Sequence, residues 1–245
     1  REVLTEDTTG RFIDVHYPLI ATARLSGMML DYPTLLDNGI GGLRKLVEGK
    51  LAKNPGNPFY EASLSCFSLF TACAEALRDK ALAQSGEAPE KRRAELLRMA
   101  ADLDKIKEGK PETFPQALQL FWLYAMLAGV INYGRLDDYL GPYLVRDYEA
   151  GRLTEQEAFR YVKCLWTMIE NRRTTVNGRV IVGGKGRRHP REANAFLHLA
   201  LKVAKECRYV EPQFTLRVTE DTPEDVWDEA MDALGAGATY PTLYN

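Results

Sequence analysis

Three features that mark specialised classes of protein are scarce or missing in this sequence of 245 residues. Four cysteines are too few for the disulfide framework of a secreted domain, so we expect reduced thiols and a cytoplasmic location. No apolar run reaches roughly 18 residues, which predicts no membrane span. The formal net charge is only −2, so the composition offers nothing that attracts nucleic acid or an anionic membrane surface.

Histidine is also rare, and its placement does not indicate a metal site. His16, His189 and His198 form no HExxH pattern, and the cysteine and histidine spacings match no zinc motif. His198 lies in the middle of a leucine-rich helical stretch, which is typical of a satisfied core or interface histidine. His189 lies in an arginine-rich loop, where we expect it to be solvated. His16 precedes the first predicted helix, and no metal ligand set is expected.

The residues that are present indicate an ordered globular protein of one or two domains, because 45% are hydrophobic and 27% are charged. Apolar residues recur at helical spacing through most of residues 31–171, which predicts helices in succession. A glycine-rich interruption at 39–42 breaks the first of them. The predicted helices span 31–51, 59–84, 89–107, 116–130, 136–149 and 154–170.

Two of these helices begin at clear capping signals. Thr113 precedes Phe-Pro and is a candidate N-cap, and Thr154 with Glu157 forms a capping box. The helix over 116–130 is apolar nearly all round, so we expect it to lie at the centre of the helical layer.

The pattern changes after residue 171. Short β-branched or alternating runs at 179–182, 212–218 and 242–244 predict strands, and helices are predicted between them at 190–207 and 222–234. Strands that alternate with helices indicate an α/β fold. The sequence as a whole therefore predicts a helix-rich α/β protein.

Several residues could carry chemistry, and each has a structural alternative. Gly183 to Gly186 follow a predicted strand and precede a helix, as a phosphate loop does, but the spacing fits neither known nucleotide motif. We favour a structural turn. Asp137 and Asp138 could form an acid pair, but adjacent helical residues point apart, and a clamp with Arg135 is the alternative. All four cysteines lie in helical or apolar contexts, which favours packing roles over nucleophiles.

A set of motifs in order is more specific than any one of them. Residues 114–122 (FPQALQLFW), 134–143 (GRLDDYLGPY) and 146–158 (RDYEAGRLTEQEA) resemble successive segments of the glycyl radical enzymes. The segment 31–40, the Gly183-Gly184 pair with Asn194, and the segments 212–217 and 241–245 resemble further parts of the same family. The order and spacing agree over about residues 27–245.

The resemblance implies a fold and a reaction. The family has a ten-stranded α/β barrel surrounded by helices, of which residues 1–171 would supply a mainly helical outer layer and residues 172–245 the first barrel strands. A glycyl radical oxidises a cysteine inside the barrel, and the thiyl radical abstracts hydrogen from a small polar substrate. A radical S-adenosylmethionine activase installs the radical. The finished enzyme needs no bound metal or organic cofactor.

The resemblance places the catalytic cysteine and the radical glycine downstream of Asn245, so we expect no catalytic residue here and an internal piece of a longer polypeptide. Gly27 stands where pyruvate formate-lyase has an arginine, although Arg24 is near, which favours another lyase or dehydratase. His16 and Asn132 are the candidate substrate-binding residues, with scaffold roles as the alternative. The resemblance leaves a homodimer open. A non-catalytic helical scaffold protein that retains the outer layer is the alternative function.

Overall fold

The computed structural model describes residues 28–172 and 178–245 of the chain. Within them, eight α-helices and four β-strands follow one another. The helices are α1 (Tyr32–Lys53), α2 (Pro58–Ser85), α3 (Glu90–Ile106), α4 (Phe114–Leu127), α5 (Leu136–Glu149), α6 (Glu155–Asn171), α7 (Pro190–Cys207) and α8 (Glu224–Gly235). The strands are β1 (Asn132–Arg135), β2 (Arg179–Gly183), β3 (Gln213–Arg217) and β4 (Thr242–Tyr244). The predicted helix-rich α/β fold is confirmed.

Local sequence signals explain where the helices begin. The Thr113 side chain accepts a hydrogen bond from Gln116 N at 3.4 Å, and Pro115 fills the first turn of α4. Thr154 accepts from Glu157 N at 3.2 Å, while Glu157 accepts in return from Thr154 N at 3.0 Å. The predicted N-cap and capping box are both confirmed.

The interruption predicted in the first helix is a kink at one glycine. Gly39 has a φ of 66°, outside the helical region, and Gly41 N donates to the Glu108 carbonyl at 2.7 Å. A Cβ on Gly39 would lie 2.7 Å from the backbone of Gly109. The kink therefore lets α1 approach the segment after α3 more closely than any side chain would allow.

The four strands form one parallel sheet in the order β1-β2-β3-β4. The strand β1 was not predicted, and it lies inside the segment 1–171 that we expected to be mainly helical. A register shift between Asn132 and Gly134 distorts its pairing with β2. Met29 forms an isolated parallel bridge to Asn132 on the other side of β1. The division of the chain at 171/172 stays a prediction.

The helices cover one face of the sheet. Tyr133, Val180, Val182, Phe214 and Leu216 point to this face and are fully buried in the main hydrophobic core. The helix α4 contributes seven buried residues to the structure, so its expected central position is confirmed. None of the helices in the described ranges is long and apolar enough to cross a membrane.

Candidate functional site

The second face of the sheet carries mainly polar side chains. Successive residues of a strand point to opposite faces, so the neighbours of the buried valines and of Phe214 point away from the helices. Asn132, Arg179 and Gln213 lie in one row across β1, β2 and β3, because Arg179 is in register with both of the others. A second row contains Ile181, Thr215 and Thr242. These side chains are half-buried or exposed. We call this surface the polar sheet face.

The structure places one of the two predicted substrate-binding residues on the polar sheet face. Asn132 is the first residue of β1, and its Oδ1 accepts a hydrogen bond from Gly134 N at 3.2 Å. His16 lies outside the described residues. That both residues contact substrate stays a prediction.

The glycine-rich loop after β2 lines a cavity of about 230 Å³ at the carboxyl edge of the sheet. Its basic residues already have partners. Lys185 pairs with Glu220 and lies 3.1 Å from Asp221, while Arg187 donates to the Gly184 carbonyl at 3.0 Å. These contacts favour the structural turn over a phosphate loop.

A buried carboxylate holds this loop to the start of α5. The Asp137 side chain is fully buried. Gly183 N donates to its Oδ2 at 2.8 Å. The guanidinium group of Arg135 lies 3.9 Å from Oδ1 of the same carboxylate, and that of Arg187 lies 3.9 Å from Oδ2. Asp138 faces away and accepts from Arg188 N at 2.6 Å. The two carboxylates point apart, as expected. The motif Gly-Arg-Leu-Asp at 134–137 holds the end of β1 against the end of β2.

Burial raises the pKa of the Asp137 carboxyl from 3.8 to about 6, although the hydrogen bond from Gly183 N and the charges of Arg135 and Arg187 lower it. A carboxyl whose pKa is higher in the folded state stabilises the fold fully below the unfolded value of 3.8. This stabilisation is lost as the pH rises through about 6.

We therefore expect raising the pH from 3 to 7 to remove about 3 kcal/mol of stability through Asp137, since one pKa unit corresponds to about 1.4 kcal/mol. The urea midpoint of the whole polypeptide, measured across this range for wild type and Asp137→Asn, tests this. As the pH rises, the urea midpoint of the wild type should fall relative to that of Asp137→Asn. If the difference between the two midpoints does not change with pH, Asp137 does not titrate in this range.

The two histidines in the described residues lie where a structural role, not metal binding, is expected. His198 Nδ1 lies 2.9 Å from Glu229 Oε2, and Nε2 lies 3.8 Å from Asp225 Oδ2, so it joins α7 to α8 as an interface histidine. His189 is the exposed residue that precedes α7. Across the ranges 28–172 and 178–245, no three histidine, cysteine or acidic side chains lie close enough to hold a metal.

The packing role expected for the cysteines is wrong for two of them. Cys66 and Cys164 are exposed, because they lie on the faces of α2 and α6 that point away from the core. Cys73 and Cys207 are half-buried, and burial raises the pKa of the Cys207 thiol. All four lie on helices, away from the polar sheet face.

Comparison with known proteins gives one consistent result. The family model described as pyruvate formate lyase-like matches residues 5–245. The (2S)-3-sulfopropanediol dehydratase of Klebsiella oxytoca is 28% identical over 89% of this chain and 29% of its own length. The isethionate sulfite-lyase of Bilophila wadsworthia is 27% identical over 88% of this chain and 30% of its own length.

Two solved structures share the fold. The B12-independent glycerol dehydratase from Clostridium butyricum matches 90% of this chain and 31% of its own, with a TM-score of 0.78 and 22% identity. A glycyl radical enzyme from Archaeoglobus fulgidus matches 89% of this chain and 32% of its own, with a TM-score of 0.75 and 23% identity. The chain thus spans less than a third of the length of each relative and structure named here.

Proposed function

Because this chain belongs to the pyruvate formate lyase-like family, we propose that it is part of a glycyl radical lyase or dehydratase, here called the parent polypeptide. The parent cleaves a C–O, C–N or C–C bond of a small polar metabolite after a thiyl radical abstracts hydrogen. The observation that carries this proposal is the family match over residues 5–245. The named relatives include a dehydratase and a lyase, which supports both reaction types.

The polar sheet face has a place in this proposal as one wall of the reaction chamber. In the parent, further strands continue the sheet from β4 and close a ten-stranded barrel around this face. The helices already seal the opposite face, so the polar side chains are the ones that meet a substrate. Asn132 on this face, and His16, are the proposed substrate contacts of the chain.

The proposed chemistry also implies a partner and a location. A backbone glycyl radical needs an oxidising system to form, for which we propose a radical S-adenosylmethionine activase. The four free thiols suit a reducing cytoplasm, where we propose that the parent works. A homodimer is proposed as the assembly.

The radical itself gives the direct test. After anaerobic incubation with its activase, the parent is expected to show the electron paramagnetic resonance signal of a glycyl radical. Air should then cleave the parent at that glycine. The control is the parent with the radical glycine replaced by alanine, which should show neither signal nor cleavage.

Two outcomes would contradict the proposed function. A parent that stays intact and active in air uses other chemistry. A native gene product with a mass near 27.6 kDa favours the alternative of a non-catalytic scaffold, since the radical residues are expected outside this chain.

A further inference from the structure

Two donor side chains lie side by side where the polar sheet face begins. Arg179 is the first residue of β2, Gln213 is the first residue of β3, and the two are directly in register. Paired strands lie about 4.8 Å apart, so one small ligand can contact both side chains. Their successors Val180 and Phe214 are fully buried under the helices, which places Arg179 and Gln213 on the opposite face.

The charge of Arg179 is not neutralised within the part of the chain that the structure describes. No carboxylate there forms an ion pair with it within 4.0 Å, whereas Arg135 and Arg187 both lie within that distance of Asp137. The acidic residue just before β3, Glu211, has its Oε2 occupied by Gly178 N at 2.9 Å and Gln213 N at 3.1 Å.

An unpaired guanidinium on an enclosed face requires an anion. A buried charge is strongly disfavoured unless it is paired and hydrogen-bonded. If the parent encloses the polar sheet face, Arg179 must meet either the substrate or a carboxylate side chain from elsewhere. The planar guanidinium fork matches the oxygens of a carboxylate or sulfonate, and the Gln213 amide supplies a further donor.

We propose that Arg179 and Gln213 bind the acidic group of an anionic substrate, a carboxylate or a sulfonate, within the reaction chamber. This inference rests on the proposed function, since it assumes that the polar sheet face lines the chamber. It assigns to β2 and β3 the role of holding the substrate's charged end. The reacting carbon is left free to face the thiyl radical.

Calorimetric titration of the unactivated parent tests the proposal, because binding needs no radical. The probes are 2-hydroxyethanesulfonate, glycolate and the neutral molecule glycerol. At least one of the anions should bind the wild type at least roughly tenfold more tightly than glycerol, as expected of a charge-assisted hydrogen bond. Arg179→Gln should weaken binding of that anion roughly 10- to 100-fold and leave glycerol binding unchanged. Arg160→Gln, on an exposed position of α6, is the control of equal charge and should bind like the wild type.

The conservative variant separates substrate binding from a structural ion pair. Arg179→Lys keeps the charge without the fork, so its anion affinity should lie between those of the wild type and Arg179→Gln. Equal anion binding by wild type and Arg179→Gln overturns the proposal. So does a wild type that does not prefer either anion to glycerol. Loss of folding in both Arg179 variants, seen by circular dichroism, also overturns it, since the partner would then be a carboxylate of the parent. Failure of the proposed function is recognised separately, by a missing glycyl radical signal.

Discussion

Replacement of Asp137 by alanine is expected to destabilise the sheet edge by about 3–5 kcal/mol, the usual effect of removing one partner from a buried ion pair. Asp137 is fully buried and accepts from two backbone groups, Gly183 N at 2.8 Å and Asp138 N at 2.9 Å. Alanine leaves these donors, and the guanidinium groups of Arg135 and Arg187, without the carboxylate. Water cannot easily replace it at a site that has no exposed surface.

Asp137→Asn should have a smaller effect, of about 1–3 kcal/mol at pH 4, because one acceptor oxygen of the same shape remains. At pH 7 the effect should be smaller again, because the wild type has lost the stability of its protonated carboxyl. Amide hydrogen exchange of the parent, read in peptides that cover 132–138 and 183–188, measures the local loss of protection. Glu220→Ala is the control. It removes the partner of Lys185, which lies in the same loop as Gly183. Glu220 is largely exposed, so its loss should destabilise the loop far less than the loss of the buried Asp137 carboxylate. Equal protection in Asp137→Ala and Glu220→Ala would show that the buried carboxylate does not hold the loop.

The contacts of Asp137 explain why the motif at 134–143 and the Gly183-Gly184 pair occur together in this sequence. The Arg135 guanidinium donates to the carbonyls of Gly183 and Lys185, while the carboxylate two residues later receives Gly183 N. The end of β1 is thus fastened to the end of β2 from both sides. This fixes the register that sets Asn132 beside Arg179 on the polar sheet face.

The helices could be predicted because their signals are local. The caps at Thr113 and Thr154 and the apolar periodicity of α4 lie within a few residues of the structure they specify. The same holds for the kink at Gly39, since the glycine itself permits the positive φ.

The strand β1 and the burial of Asp137 depend on distant residues. Asn-Tyr-Gly-Arg is too short and too polar to read as a strand, and it becomes one by pairing with β2. Asp137 is buried by a loop 46 residues away along the chain. No local pattern could distinguish it from Asp138, which reaches the surface.

The proposed anion site was missed for the same reason. Arg179 and Gln213 are separated by the whole of α7, and only the register of the sheet brings them together. Asn132 could be proposed from the sequence because it lies two residues before a recognisable family motif at 134–143. The position of Arg179 in the first row of the polar sheet face follows from strand alternation, which requires the strand ends to be known.

The contact between α5 and α7 gives the second large expected effect. A Cβ on Gly141 would lie 2.4 Å from the Glu192 carbonyl oxygen and 2.9 Å from Ala193 N. Both are backbone atoms, so no side chain can rotate away to relieve the overlap. Gly141→Ala should therefore force the two helices apart and destabilise the structure by about 1–3 kcal/mol, the range measured for overpacked cores. The α7 helix also contacts β2, so the shift should reach the sheet.

Gly49→Ala is the matched control, because both glycines lie inside helices but Gly49 has no atom within 4 Å of the added Cβ. There the methyl group should stabilise α1 by about 0.5–1 kcal/mol through helix propensity alone. The same glycine-to-alanine substitution is thus expected to stabilise the protein at Gly49 and to destabilise it at Gly141. Hydrogen exchange of peptides from α1, α5 and α7 in the parent measures both effects. Increased protection in α5 of Gly141→Ala would mean that propensity outweighs the backbone contact, and that the two helices are not held at this distance.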